Sequence, residues 1–182
     1  MTTYPGAVIL PYNGVYPTIH EDAFIAPGAV IIGDVHIGAE TGVWFGCVIR
    51  GDVNHIRIGS RTNIQDGTVI HVTRKTGPTV IGSGITIGHR VLLHACTLED
   101  GCFIGMGATI IDFAVVETGG FVAAGALVTP KKRVLSGQMW GGNPAKYMRD
   151  LTPEESAFIA ISEENYVRHV HEYKAQLSSV SS

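Results

Sequence analysis

Aliphatic residues recur every six positions along most of the chain, and this period is the main structural signal in the sequence. We call the aliphatic residue of each repeat its anchor. The residue four places after an anchor is usually small, most often Ala, Thr, Cys or Gly. Such a repeat predicts one short strand and one tight turn, with the anchor pointing inward. The anchors are Ile19, Ile25, Ile31, Ile37, Val43, Ile49, Ile58, Ile64, Ile70, Ile81, Ile87, Leu93, Leu98, Ile104, Ile110, Val116, Val122 and Val128.

Three repeats close one triangular coil of about 18 residues, so the anchors predict an all-β fold, a parallel β-helix of about six coils and roughly 30 Å in height. The period is broken at three places. Three extra residues follow Ile49 and five follow Ile70, whereas one residue is missing after Leu93. Insertions in a solenoid form loops on one face or edge, which is often the functional one.

The pattern changes to that of a helix after Asp150. The segment Thr152–Glu155 has the form of a capping box with proline at the first helical position. Apolar residues then recur at helical spacing over about 25 residues, enough for a helix of roughly 37 Å. We therefore divide the chain into a β-helix over residues 1–150 and a C-terminal segment, 151–182, whose helix packs along the β-helix and ends in a frayed tail at 178–182. The apolar positions are Phe158, Ile161, Tyr166, Val170, Tyr173 and Leu177.

Composition narrows the classes of partner and location. The formal net charge of −3 gives no reason to expect nucleic acid or an anionic membrane as partner. We see no signal peptide and no apolar run long enough to span a membrane. Three cysteines do not form a disulfide framework, so we expect a cytoplasmic protein. Cys47 and Cys102 take small inward positions of their repeats, and Cys96 is left out of the site.

Three polar residues are expected to stack on one outward face. Arg50, His71 and His94 each follow an anchor directly, and three strands separate each from the next. Neighbours in this stack should lie about 5 Å apart. The remaining histidines, apart from His89, are assigned structural or surface roles; they are His20, His36, His55, His169 and His171.

A second cluster is expected on the adjacent face. His89 lies two places after its anchor, one coil above Asp66, and Gln65 adjoins Asp66. Three imidazoles suit a catalytic zinc with one position open for water, but the third would have to come from another subunit. A cyclic trimer would supply it and would bring Arg50 toward Asp66 of the next chain. The alternative is that these histidines only decorate a turn-rich surface.

Several short segments resemble the γ-class carbonic anhydrases and their bacterial homologues, and the resemblance covers essentially the whole chain. They are residues 44–52 (WFGCVIRGD), 63–67 (NIQDG), His71-Val72, Gly88-His89 and 94–96 (HAC). The resemblance implies a left-handed β-helix and a homotrimer with its active site at the subunit interface. It also implies an enzyme, a lyase that hydrates CO2 reversibly to bicarbonate.

The resemblance also implies the site residues. His71, His89 and His94 would be the metal ligands. The metal would be Zn²⁺, although Fe²⁺ or Co²⁺ suits similar ligands. Arg50 and Asp52 would organise the site and the subunit interface.

The remaining implied roles concern the surroundings of the metal. Gln65 would orient or help deprotonate the water, with Asn63 supporting it. Asp66 would pair with an arginine across the interface. Tyr166 looks like the family's helix tyrosine that reaches the site.

The chain departs from the best-studied pattern in two places. Val53 stands where the active archetype has a glutamate after the Arg-Gly-Asp element. The loop from Val72 to Val80 carries Arg74 and Lys75 and no carboxylate, whereas the archetype has an acidic loop that shuttles protons. A slow proton-transfer step is therefore expected.

Two other functions remain open. A hexapeptide-repeat acyltransferase using coenzyme A would use the late coils around residues 122–126 and the basic run Lys131-Lys132-Arg133, which could meet a coenzyme A phosphate. Such an enzyme needs one histidine as base rather than three around a metal. A non-enzymatic, metal-stabilised trimeric assembly subunit is the second alternative, since the fold does not decide function.

Overall fold

Short parallel strands stacked on three faces form a β-solenoid in the computed structural model, which describes residues 4–180. The first and second faces belong to one twelve-stranded sheet, because β4 (Val30–Ile37) and β6 (Val48–Ile58) run around the corner between them. The third face is an eight-stranded sheet.

Each face carries seven stacked strand segments. Besides the first parts of β4 and β6, the first face has β1 (Val8–Leu10), β8 (Val69–His71), β11 (Leu92–His94), β14 (Thr109–Ile111) and β17 (Leu127–Val128). Besides their last parts, the second has β2 (Thr18–Ile19), β9 (Thr79–Ile81), β12 (Thr97–Leu98), β15 (Val115–Val116) and β18 (Arg133–Val134). The third has β3 (Phe24–Ile25), β5 (Gly42–Val43), β7 (Asn63–Ile64), β10 (Thr86–Ile87), β13 (Phe103–Ile104), β16 (Phe121–Val122) and β19 (Gln138–Gly141), with β20 (Lys146–Asp150) antiparallel to β19.

The solenoid therefore has about seven coils rather than the six predicted from the anchors. The first coil begins at β1, where Ile9 pairs with Ile31. Ile9 lies ten residues before Ile19, outside the period, because a loop with a Tyr12–Val15 bridge intervenes. At the other end, Val134 and Trp140 extend the six-residue spacing and close the last coil.

The interior is filled by the predicted anchors. Those on the first face, from Ile31 to Ile110, are all fully buried. Burying one such aliphatic side chain contributes about 1.5–3 kcal/mol relative to leaving it in water, so the regular stack accounts for much of the stability of the solenoid.

The two insertions have different structures. In β6 the three extra residues widen the strand, so that the four residues 52–55 lie opposite the single residue Asp34 of β4. The insertion after Ile70 forms a small loop closed by a bridge between Thr73 and Gly77. Both lie next to His71.

The C-terminal helix α1 (Pro153–Val180) begins with the predicted capping box. The Thr152 backbone N–H donates to Glu155 Oε2 at 3.0 Å, and the Glu155 N–H donates to Thr152 Oγ1 at 3.3 Å. Arg149 adds two hydrogen bonds of 2.7 Å to the same carboxylate. The two capping-box contacts satisfy two backbone N–H groups at the helix start, and Arg149 holds the Glu155 carboxylate that accepts one of them.

The helix packs on the third face against β3, β5, β7 and β10. Of the predicted apolar positions, Val170 is buried, whereas Phe158 and Ile161 are about half exposed and the neighbouring Ile159 and Ser162 are buried instead. Phe158 instead lies beside Phe103, with ring centres 5.8 Å apart, at the edge of the covered face.

Helix α1 extends to Val180, and residues 181 and 182 lie outside the described part, so the fraying expected over residues 178–182 stays a prediction. The structure of residues 4–180 contains no helix with the length and hydropathy needed to cross a membrane.

Candidate active site

The first cluster lies on the first face, at the ends of β8 and β11. His71 and His94 are register partners on consecutive coils, and their ring centres are 5.3 Å apart. Each ring donates one N–H to a carboxylate. His71 Nε2 lies 2.9 Å from Asp52 Oδ1, and His94 Nδ1 lies 2.6 Å from Asp112 Oδ1.

Asp52 occupies the widened part of β6 and contacts both Arg50 and His71. Burial alone would raise the pKa of the Asp52 carboxyl, but the hydrogen bonds from His71 and Arg50 outweigh it and hold that pKa below its usual value. Asp52 is therefore an anion at neutral pH and fixes the orientation of the His71 ring.

The second cluster lies at the edge of the third face. His89 Nδ1 is 2.9 Å from Asp66 Oδ2, as expected from their places one coil apart. Tyr166 of α1 packs edge-on against Trp44, with ring centres 5.9 Å apart. Burial, and to a lesser extent the negative charge of Asp66, raises the pKa of the Tyr166 phenol.

A chain of buried hydrogen bonds connects Gln65 to the helix. Gln65 Nε2 donates to Asn63 Oδ1 at 3.1 Å, and Asn63 Nδ2 donates to Thr86 Oγ1 at 2.9 Å. The Thr86 hydroxyl oxygen lies 2.8 Å from Ser162 Oγ of α1. All four side chains are buried. The Gln65 carbonyl oxygen Oε1 has no hydrogen-bond partner among residues 4–180.

The two clusters do not join within one chain. Within residues 4–180 no three His, Cys, Asp or Glu side chains converge as a metal ion requires. Each of the three imidazoles has one nitrogen held by a carboxylate, while the other has no hydrogen-bond partner in the described part of the chain. Carboxylate-bound imidazoles with a free second nitrogen are the usual form of histidine metal ligands, so the donors fit a metal that two chains would share.

An exposed apolar column runs beside the first cluster. Val48, Val69 and Leu92 are register partners that point outward one place before their anchors. Val69 and Leu92 are 37% and 40% exposed. Aliphatic side chains stacked on an open sheet face are typical of a surface that another protein surface covers.

Three residues of these networks were not predicted from the sequence. Asp112 lies one coil above His94 and contacts it. The sequence does carry a signal for it, because this carboxylate stands two places after Ile110, the next anchor on that face. Thr86 and Ser162 gave no signal, since a threonine in a strand and a serine in a helix are ordinary.

Cys96 and Arg133 of the basic run lie outside the two clusters and have mainly structural contacts. Cys96 is buried, which raises the pKa of its thiol to about 12, and it takes no part in the clusters. Arg133 of the basic run is paired with Glu117 at 2.8 Å and lies 3.7 Å from Glu99, so its charge is partly balanced by these two carboxylates.

Comparison with known proteins gives a consistent set of similarities. Residues 16–51 match the family model described as bacterial transferase hexapeptide (six repeats). The chain is 55% identical over 155 residues to gamma carbonic anhydrase 1, mitochondrial, of Arabidopsis thaliana, a match that covers 82% of this chain and 56% of that protein. The chain thus spans little more than half the length of this plant relative.

Two further similarities extend over nearly whole chains. A carbonic anhydrase of Geobacillus kaustophilus is 42% identical over 168 residues, which is 92% of each protein. The crystal structure of a hexapeptide transferase family protein from Anaplasma phagocytophilum has a TM-score of 0.88 and 49% identity, and it covers 91% of this chain and 98% of that one.

Proposed function

The chain belongs to the γ-class carbonic anhydrase family, and we propose that it hydrates CO2 reversibly to bicarbonate at a metal ion held between subunits of a homotrimer. The observation that carries this proposal is the division of three carboxylate-bound imidazoles between two faces. His71 and His94 of one chain would bind the metal together with His89 of the next.

A cyclic trimer supports this arrangement because it places one face of each prism against a different face of its neighbour. The apolar column of Val48, Val69 and Leu92 lies beside His71 and His94, so covering it would bring a second chain to the ligands. Arg50 is 43% exposed on the same face, where Asp66 of the neighbour could approach it.

When bound there, a metal ion would supply Lewis-acid activation of water for attack on CO2. Zn²⁺ is the metal we propose, with Fe²⁺ or Co²⁺ as alternatives for the same donors. Asp52, Asp66 and Asp112 would each keep the proton on the ring nitrogen that they contact. The other nitrogen of each ring then has a lone pair for the metal.

The other residues act on water and substrate. The free carbonyl oxygen of Gln65 would accept a hydrogen bond from the reacting water, and Asn63 would hold the Gln65 amide in place. Because its pKa is raised, Tyr166 stays a neutral phenol near neutral pH and would donate a hydrogen bond rather than act as a base.

The alternatives make different predictions. An acyltransferase would not need the three imidazoles, and the pairing of Arg133 with Glu117 weakens the basic run as a phosphate site. An assembly subunit would bind the metal without turnover. The cytoplasmic location expected from the cysteine content stays a prediction.

The test combines metal content with kinetics. His71→Ala, His89→Ala and His94→Ala should each lose most of the metal measured by plasma mass spectrometry, together with CO2 hydration measured by stopped flow. His36→Ala, which changes an exposed histidine of the same solenoid, is the control and should keep both. Full metal content in all three variants would contradict the ligand assignment. Metal binding without hydration would favour the assembly subunit.

A further inference from the structure

The outward-facing column of the third face is apolar or glycine except at two adjacent coils. These positions pair in register from β3 to β19. The two polar members, Asn63 and Thr86, belong to the strands that lead to Gln65 and His89. The column consists of Phe24, Gly42, Asn63, Thr86, Phe103, Phe121 and Met139.

The helix places its own polar residue opposite this pair. Among residues 153–177 of α1 the other buried residues are Ile159, Val167 and Val170, and Ser162 is buried to a similar degree. Buried polar groups cost free energy unless all of them are hydrogen-bonded, so a polar contact inside an apolar interface needs a reason beyond packing. The hydrogen bonds through Thr86 and Asn63 to Gln65 provide one.

The bonds form one continuous chain. Gln65 donates to Asn63, and Asn63 donates to Thr86. In the last contact, between Thr86 Oγ1 and Ser162 Oγ at 2.8 Å, either hydroxyl can be the donor. We infer that Ser162, acting through Thr86 and Asn63, is a positioning residue that holds the Gln65 side chain with its carbonyl oxygen turned toward the active site.

The orientation of Gln65 matters for its proposed role. If both amides turned over, Gln65 would present its NH2 group to the site, and an NH2 group cannot accept a hydrogen bond from water. Ser162 opposes such a rearrangement by fixing the position of Thr86, to which the Asn63 amide donates. The inference rests on the proposed function only for its catalytic consequence, because the orientation itself can be observed separately.

Nuclear magnetic resonance tests the orientation without any turnover. The chain has only three glutamines, Gln65, Gln138 and Gln176, so ¹⁵N-glutamine labelling gives three side-chain NH2 signals. In the wild type, the Gln65 NH2 should be protected from exchange with water. Ser162→Ala should lower this protection, and Ser162→Thr, which keeps the hydroxyl, should restore it. Unchanged Gln65 protection in Ser162→Ala would overturn the inference.

Kinetics and a matched control complete the test. In metal-loaded Ser162→Ala and Thr86→Val, kcat for CO2 hydration should fall about tenfold while KM and metal content change little. Thr41→Val removes another buried hydroxyl, which lies away from the site and donates a hydrogen bond of 2.7 Å to Gly59 O. This variant should leave kcat unchanged. An equal fall of kcat in Thr41→Val would mean general destabilisation and would also overturn the inference. If the wild type does not hydrate CO2, the proposed function fails, and the Gln65 signal still decides the positioning role.

Discussion

A mixture of two inactive variants should regain metal sites if the ligands come from two chains. His71→Ala lacks a ligand of the first cluster, and His89→Ala lacks the ligand of the second. Because the two clusters lie on different faces and do not converge in one chain, each variant alone has no complete site. In a mixed trimer, an interface is complete when its His71 and His94 come from a His89→Ala chain and its His89 from a His71→Ala chain.

The expected recovery follows from the geometry of a cyclic trimer. With equal amounts and random assembly, about one interface in four has the required pair of chains in the required order, and every mixed trimer has one complete interface. Mixing His71→Ala with His94→Ala is the matched control. His71 and His94 are register partners in the same chain, so this mixture should restore no site.

The assay separates mixed trimers before measuring them. The two variants carry different affinity tags without histidine, are unfolded together, refolded and purified on both tags. Metal per trimer and CO2 hydration are then measured. Mixed trimers of the first pair should hold about one metal ion each. Recovery in neither mixture would show that one chain supplies all three ligands, and recovery in the control would show that His71 and His94 serve different sites.

Three further predictions concern proton transfer, the helix start and a close backbone contact. Because Val53 and the loop 72–80 supply no carboxylate, imidazole-type buffer should raise the hydration rate in proportion to its concentration, and Val53→Glu should reduce that dependence; rapid turnover independent of buffer would contradict this. Arg149 and the Thr152 N–H lower the pKa of Glu155 to about 2. The stability that these contacts contribute is therefore present above the usual pKa of about 4.3 and is lost as the pH falls toward 2. Over that range the Tm difference between wild type and Glu155→Gln, followed by circular dichroism, should disappear, and a constant difference would refute the pairing. Gly33 has a φ of +78°, and a Cβ added there would lie 2.3 Å from Gly51 O, whereas Gly46 has a φ of +68° and a Cβ added there would have no atom of the described residues within 4 Å. In urea unfolding, Gly46→Ala should therefore lower the free energy of unfolding by about 1 kcal/mol and Gly33→Ala by clearly more. Equal losses would argue against a clash.

The fold was largely predictable because one signal repeats in every coil. An anchor such as Ile70 or Leu93 must be aliphatic and inward at each level, so a period of six is visible without any alignment. The ends were harder to predict. Ile9 is separated by a loop, and Trp140 is not aliphatic although it occupies the same position. The orientation of the helix depends on which side meets the third face, which is why Ile159 rather than Phe158 is buried.

The site was predictable where it follows the register and not where it depends on contacts between distant segments. Counting anchors places His94 on His71 and Asp66 beside His89, as the structure has them. The contact of Ser162 with Thr86 joins residues 76 positions apart and depends on how α1 lies on the sheet. Whether His89 of another chain completes the site stays a prediction, since the geometry of one chain does not contain it.

The breaks in the repeat shape the surroundings of His71 and His94 in an otherwise uniform solenoid. Regular stretches also bring carboxylates to the histidines, since Asp112 contacts His94 and Asp66 contacts His89 from coils that keep the period of six. The widened part of β6 carries Asp52, which contacts His71, and the insertion after β8 leads to Thr79, which contacts the His71 backbone. The Thr79 hydroxyl donates to His71 O at 2.6 Å and accepts from Ala95 N at 3.0 Å, so it ties together the backbones that follow both histidines. Ala95, at a φ of +49°, turns the chain at once after His94, where the repeat is one residue short. The irregularities thus shape the surroundings of His71 and His94, whereas His89 lies in a regular stretch and is held by Asp66.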